Sequence, residues 1–526
     1  MKKFLLLISF NLIFANLVLA NVDLPKSNAD DALKIAASIE QCQKLKAYVV
    51  KNQFDVNCNS QYLLFGSASE SGAKRTSINI ANFNLLHPGT SKTLFKDYAL
   101  LAKVMNSFDL IAAQELLGLV GHDADVNEDI DAFISANAND LKKINAAATI
   151  YRTPGYFTVL KELRKLDPSW SLLLSPRGDS ALLGSVEEYV GFYFRSSQVE
   201  LKANRYCEDQ NKLKSKIPAY ACVINFGEKN KFISRRPMMA SFQSTKFKFT
   251  MVSSHVVFNF SGDETQAADL LKSVYGVNAL EEIGKGVNIV NFARFAEVKL
   301  TLEFIKQYSQ KYNDKKIMFS ADTNLTPETE FWNDLLAINK DFKLLIKDPT
   351  TLSPQRFNKK GEETNGVANS YDHFMLNPNE FSNCDSGQVF NFFNSSLHTT
   401  IEKKYLIRDN FPKLKNKFFS TYKVNPEDPS DPFDGETDGD VKLDYPLTKM
   451  GEEKMNLFAE NFRASLLNLK TIKNGEIVVD DFQIEERIDG LKSRVFLKQL
   501  TNLYFYRVYS EILSDHLPAY ISCKLN

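Results

Sequence analysis

Short apolar runs that each stop on an acid, an amide or a histidine recur along this chain, and they narrow the folds open to it. Ser77-Ile78-Asn79-Ile80-Ala81-Asn82-Phe83-Asn84-Leu85 alternates polar and apolar residues, the period of a strand. Leu110-Ile111-Ala112-Ala113 is continuously apolar and ends on Gln114-Glu115. Leu172-Leu173-Leu174 and Tyr189 to Phe194 read as paired strands, with Glu188 just ahead of the second. Pro237 to Phe242 and Phe247 to His255 give two more, and Lys316 to Ser320 runs into Ala321-Asp322-Thr323-Asn324. Tyr371 to Leu376 carries Asp372 near its start. Finally, Ile512-Leu513-Ser514 leads to Asp515-His516, after which Leu517, Ala519, Ile521 and Cys523 share one face of a strand.

Helical spacing over Leu94–Ser107 and Phe292–Tyr308 falls between these strands. Strands interleaved with helices, many with polar residues at their ends, predict an α/β (α+β) four-layer sandwich. Two packed, mostly antiparallel β-sheets flanked by helices would bring the polar strand ends to one rim. At 526 residues the chain exceeds the needs of one such core. Residues 21–75 read as an N-terminal extension, with helical spacing over Asp30 to Val50 and a polar linker from Ser67 to Thr76. Residues 116–155 are polar and helix-like. Residues 395–505 read as an inserted subdomain holding the acidic run from Pro426 to Asp440, which lacks the register of a calcium loop and fits a solvated loop better.

Met1-Lys2-Lys3, the apolar stretch Phe4 to Leu19 and the small-residue end at Ala20 have the pattern of a secretory signal peptide over 1–20. Export predicts an oxidising compartment, secreted or periplasmic, in which six cysteines would pair. Near-sequence pairing suggests Cys42–Cys58, Cys207–Cys222 and Cys384–Cys523, although other connectivities are open. No later run is long enough to span a bilayer, so a soluble, monomeric protein without a stable membrane anchor is expected. The formal net charge is zero, with 64 basic and 64 acidic residues, which excludes a global basic field for nucleic acid and leaves only local surfaces.

Gathered at one rim, Asn84, Glu115, Glu188, His255, Asp322, Asn324, Asp372, Asp515 and His516 would make a reaction centre. Carboxylates and amides suit Mg²⁺ or Mn²⁺ better than zinc, with Ca²⁺ as a structural option. Two histidines can serve as general acid and base, and a metal with paired histidines and carboxylates suits hydrolysis of a phosphodiester by water. Each residue alone has a plainer reading: Glu115 as a solvated strand edge, His255 as a core histidine, Asp322 and Asn324 as a turn, Asp372-His373 as surface.

Their order resembles the motifs of the endonuclease/exonuclease/phosphatase superfamily, over about 76–380 and 505–523. Ser175-Pro176-Arg177-Gly178-Asp179, Glu187-Glu188-Tyr189 through Arg195, Ser234-Arg235-Arg236-Pro237 and Lys347-Asp348-Pro349-Thr350-Thr351 resemble its deoxyribonuclease I branch. The resemblance implies a catalytic domain over 76–526. It implies Glu115 as principal metal ligand with Asn84, and Asp322 and Asn324 holding metal, water and the scissile phosphate. It further implies His255 paired with Asp372 and His516 with Glu188 as acid and base, Asp515 orienting metal or water, and Arg235 on the phosphate backbone. Two departures stand out: Ala321 where the family places glycine, and Val186 where the branch often places an aromatic. The expected activity is a secreted, metal-dependent endonuclease acting on DNA, with RNA as a further substrate class. The alternatives are a sphingomyelinase or phosphoinositide phosphatase on the same scaffold, and a non-catalytic binding module.

Overall fold

The computed structural model describes residues 56–58, 61–88, 96–116, 155–175, 188–210, 218–258, 262–282, 287–352, 366–405, 471–473, 476–478, 509–510 and 512–525. Its strands are β1 (Val56–Cys58), β2 (Leu63–Phe65), β3 (Ser77–Asn84), β4 (Leu110–Leu116), β5 (Trp170–Leu174), β6 (Tyr189–Arg195), β7 (Glu200–Lys202), β8 (Ala221–Val223) and β9 (Met238–Ser244). They continue with β10 (Phe247–His255), β11 (Ile317–Asp322), β12 (Lys343–Leu344), β13 (Asp372–Leu376), β14 (Gln388–Val389), β15 (Thr471–Lys473), β16 (Glu476–Val478) and β17 (Ala519–Lys524). The helices are α1 (Tyr98–Met105), α2 (Gly155–Leu166), α3 (Arg205–Gln210), α4 (Glu264–Leu270), α5 (Ile289–Tyr312), α6 (Phe331–Leu336) and α7 (Ser396–Tyr405).

Two sheets carry the chain. The first is eight-stranded, in the order β1-β2-β5-β6-β4-β3-β17-β14. The second is seven-stranded, in the order β12-β13-β11-β10-β9-β7, with β8 also on β9. Only β3/β4 and β10/β11 pair in parallel. Alternation along β3 shows why the sheets stack: Ile78 and Ile80 face the second sheet, while Ala81 and Phe83 face α1 and α2. Phe192, Phe194, Phe242, Phe249, Met318 and Phe374 fill the layer between the sheets. The outer face of the second sheet packs on α5 through Phe295, Val298, Leu302 and Ile305. The result is the expected order of layers, helix, sheet, sheet, helix.

Several boundaries differ from the sequence reading. Tyr62 to Phe65, placed in an extension, belong to the first sheet, where β2 pairs with β5 and Tyr62 and Phe65 are fully buried. The stretch Ser67 to Thr76 is no free linker. Glu70 N donates to Ser196 O, Gln198 Nε2 to Ala73 O, and Arg75 pairs with Asp109 at 2.8 Å. Its small, polar residues lie flat because their backbone finds partners on the body of the fold. The insertion is anchored at both described ends, since Ile401 of α7 and Tyr509 sit in the first core cluster with Phe392. Within it, β15 and β16 pair as a hairpin.

Cys207–Cys222 and Cys384–Cys523 are disulfide-bonded, as expected. Cys42, the signal segment, the helix over Asp30 to Val50, residues 117–154, Pro176 to Glu187 with Val186, and the acidic run lie outside the described residues. Among the described residues no helix is long and apolar enough to cross a membrane.

Phe242 is fully buried and meets Phe192, Phe194 and Phe249 at ring distances of 5.3, 6.3 and 5.8 Å. Phe242→Ala should cost about 3–5 kcal/mol through lost burial and the cavity left behind. A guanidinium-chloride midpoint unchanged from wild type would show that the layer between the sheets is not the main core.

Candidate functional site

Sheet topology gathers the polar strand ends. The parallel pairs β3/β4 and β10/β11 end together, and the antiparallel strands β6, β13 and β17 start at that same rim. Asn84, Glu115, His255 and Asp322 therefore arrive from strand C-termini, and Glu188, Asp372 and His516 from strand starts. In the second sheet His255, Asp322 and Asp372 stand in one row across three adjacent strands.

Two histidine–carboxylate pairs span the seam between the sheets. His255 Nδ1 lies 2.7 Å from Glu188 Oε2, and His516 Nδ1 lies 2.6 Å from Asp372 Oδ2. This reverses the expected partners. His255 sits on the second sheet and meets Glu188 at the start of β6 in the first. His516 precedes β17 in the first sheet and meets Asp372 of β13 in the second. Both Nε2 atoms point to Asp322 between them, at 3.7 and 3.6 Å from its Oδ2. With Nδ1 engaged by a carboxylate, each ring keeps Nε2 for proton transfer.

The electrostatics follow from burial and these partners. Burial and Arg235 alone would lower His255, but Glu188 and Asp322 outweigh them and its pKa rises. For His516, burial is opposed by Asp372 and Asp322, and the imidazole is held well above its ordinary value. Burial pushes the Glu188 carboxyl up, yet His255 and Arg235 prevail and hold it far below the usual carboxylate range. Glu115 moves the other way: burial raises it and the charge of Glu188 adds to the rise. Burial would also raise Asp322, but His516, His255 and the Asn84 amide bring it below its ordinary value.

Backbone strain aims the remaining groups. Glu115 has φ +55° at a β-bulge where β4 shifts against β6. The bulge turns its carboxylate to the rim, a use of the left-handed region that costs a non-glycine residue energy. Asn324 is also left-handed at φ +52°; its Nδ2 donates to Val256 O at 3.0 Å and approaches His255 Nε2 at 3.5 Å. Asn84 Nδ2 donates to Glu115 Oε1 at 2.7 Å and to Asp322 Oδ2 at 2.9 Å, while its oxygen accepts from Leu86 N. Expected as a metal ligand, Asn84 instead bridges two carboxylates. Arg235, expected on phosphate, is buried and donates to Glu188 Oε1 at 2.8 Å, bracing the His255 pair.

A divalent cation with oxygen ligands fits this donor set. Asp515 Oδ1 is buried without a hydrogen-bond partner among the described residues, and its charge is felt at Glu115. Glu115, His255 and Asp322 each offer one atom within 4.8 Å of the others, as do Asp322, Asp372 and His516. Hard carboxylate oxygens suit magnesium or manganese.

Other members of the site left little trace in the sequence. His87 Nε2 lies 3.1 Å from Glu115 Oε2 and 3.4 Å from Glu188 Oε1. Lys96 is buried and donates to Leu85 O and Leu513 O, both at 2.6 Å, tying the end of β3 to the Asp515-His516 turn. Burial lowers its pKa to about 7. Asn82 Nδ2 donates to Asp372 Oδ1 at 3.0 Å. Its signal was a polar residue among buried neighbours in β3. Thr350, inside the Asp-Pro-Thr-Thr motif, accepts from Tyr371 N and Asp372 N, both at 3.0 Å. His373 is a buried structural residue, its ring nitrogens each 2.8 Å from a carbonyl, of Ile346 and of Leu325.

No protein-family model matches the chain. An uncharacterized protein of Mycoplasma pneumoniae is 26% identical over 178 residues, which is 33% of this chain; the chain spans about a third (32%) of that relative's length. Among solved structures, an endonuclease/exonuclease/phosphatase family protein from Bacteroides thetaiotaomicron is 12% identical, covering 60% of this chain and 90% of its own, with a TM-score of 0.31. D. rerio TDP2 complexed with single strand DNA product is 11% identical, with 61% and 94% covered and a TM-score of 0.31. The human Nocturnin catalytic domain with bound sulfate anion is 8% identical, with 62% and 86% covered and a TM-score of 0.30. Likeness at this level assigns no activity, so the chemistry rests on the side chains themselves.

The raised pKa of His516 should depend on its facing carboxylate. In Asp372→Asn the opposing effect of burial remains, so the imidazole midpoint should fall from above its ordinary value of about 6.5 to below it. Nuclear magnetic resonance of the His516 ring reads this directly. An unchanged midpoint would show that Asp372 does not set the charge of that ring.

Proposed function

We propose that this protein is an exported, divalent-metal-dependent phosphodiesterase that cuts DNA by attack of water. The observation that carries the reading is the pair of histidine–carboxylate units converging on Asp322 with both Nε2 atoms directed at it. A phosphodiester placed there meets one imidazole on each side. One takes a proton from water as the water oxygen bonds to phosphorus. The other gives a proton to the departing alkoxide oxygen, and the products are a phosphomonoester and a free hydroxyl. Asp322 and Asn324 would orient the water and the phosphate, while Glu188 and Asp372 fix each ring and stabilise its protonated form. Glu115 and Asp515 would hold the metal, which supplies charge neutralisation at the phosphoryl oxygens when bound.

Two features support nucleic acid as the substrate. Phe258, 65% exposed, follows His255 by three residues and suits stacking on a base. The Arg294 guanidinium lies 5.5 Å from its ring and donates to Asn324 O at 2.7 Å, so the aromatic stands one side chain from the site. The signal-like segment 1–20 and the two disulfides support export.

Purified protein is expected to nick supercoiled plasmid with Mg²⁺ or Mn²⁺ and to stop on addition of chelator. Intact plasmid across Mg²⁺, Mn²⁺ and Ca²⁺ would sink the reading as a deoxyribonuclease. Parallel assays on RNA and sphingomyelin distinguish a phosphodiesterase of another substrate class. His516→Ala and His255→Ala should each slow nicking by about 10²–10⁴-fold, the usual worth of a general acid or base. Full activity in either variant, confirmed folded by circular dichroism, would remove that histidine from the chemistry.

A further inference from the structure

A second cavity of about 230 Å³ opens behind the catalytic wall, bounded by α4, α5 and the segments that carry Ser234 and Val257. Its lining is largely apolar, from Phe232, Ile233, Val257, Leu270 and Ala293, with Glu297 of α5 among them. The ion pair of Lys231 and Asp269, at 2.5 Å and half exposed, marks its solvent side. Nothing in the proposed reaction uses this space.

Glu297 is out of place in such a lining. It is 3% exposed, on a helix face otherwise filled by Phe295, Val298 and Leu300. One oxygen is engaged: Oε1 accepts from Ser234 N at 3.0 Å and Val257 N at 3.4 Å. The other, Oε2, is buried with no hydrogen-bond partner among the described residues. A buried carboxylate oxygen left unmet is costly, and a cation that both neutralises it and donates to it removes that cost. Burial raises the Glu297 pKa to about 7, against the lowering effects of Ser234, Arg235 and the Val257 amide. The group is thus poised to accept a donor rather than being satisfied by the fold. An apolar chamber with one acidic oxygen is the shape of a site for a small organic cation, and a cavity of about 150 Å³ already admits benzene.

We propose that this cavity binds a small primary amine in its ammonium form, the nitrogen donating to Glu297 Oε2 and an apolar body of benzene size or slightly larger filling the space among Ile233, Val257, Leu270 and Ala293. The site does not depend on the phosphodiesterase reading. It does touch the same framework, because Glu297 Oε1 holds the amide next to Arg235 and the amide two residues beyond His255.

The test uses the whole protein and benzylammonium, with benzyl alcohol and benzoate as matched probes, titrated by calorimetry at pH 8. Saturable binding of benzylammonium is expected, with the alcohol and the acid at least about tenfold weaker because they lack the charge-assisted donor. Glu297→Gln keeps an oxygen for Ser234 N and Val257 N but removes the charge, and should lose at least about tenfold in affinity. Ala293→Leu should exclude the probe by filling the chamber. Nuclear Overhauser contacts from the probe ring to the Ala293 methyl locate it in the wild type, so the test stands even where a variant fails to fold. No saturable binding, equal binding of alcohol or acid, contacts elsewhere, or undiminished affinity in folded Glu297→Gln would each overturn the proposal.

Discussion

The side chain of Asn82 joins the two sheets beneath the site, and the geometry above it depends on that join. Its amide nitrogen donates to Asp372 Oδ1, while its oxygen accepts from Gln114 Nε2 at 2.8 Å and Ser320 Oγ at 2.6 Å. Gln114 Nε2 also reaches Ser253 Oγ at 2.9 Å. Strands β3 and β4 of one sheet are thereby tied to β10, β11 and β13 of the other. All five members are buried, so a slip between the sheets would strand several polar groups away from water at once. An apolar layer alone tolerates sliding, whereas this ladder specifies one alignment.

That alignment makes a site out of a seam. Each histidine comes from one sheet and its carboxylate from the other, and Asn84 bridges Glu115 of the first sheet to Asp322 of the second. A reaction centre split in this way is organised only when both sheets are packed. Lys96 extends the principle to the turns, since its ammonium joins the carbonyls that follow β3 and precede Asp515. Glu297 does the same behind Arg235 and His255, with two backbone amides on one carboxylate oxygen.

Much of this was legible in the residues. Alternation in Ser77 to Leu85, the apolar run at Leu110 and the paired strands at Leu172 and Tyr189 name strands because side-chain period is a local property. The polar residues at their ends were visible for the same reason. Lys96 and His87 were not, because a lone lysine or histidine in a polar stretch carries no period and its burial is decided by distant segments. Tyr62 to Phe65 were read as outside the domain because a three-residue strand is too short to show alternation. Ser67 to Thr76 read as a linker because hydrogen bonding of a polar segment to the body leaves no pattern in composition.

The sequence by itself determined the inventory: which strands exist, which end in a carboxylate, amide or histidine, and which near-sequence cysteines pair at Cys207 and Cys222. Only the tertiary structure decided the partners. His255 meets Glu188 and His516 meets Asp372, the reverse of the expected match, because strand order and the packing of one sheet on the other fix which ends face each other. Contact across the seam links residues separated by 67 and 144 positions, and no local rule of spacing reaches that far. The bulge that turns Glu115 to the rim belongs to the same class, since it arises from a register shift between β4 and β6 and not from any residue that requires it.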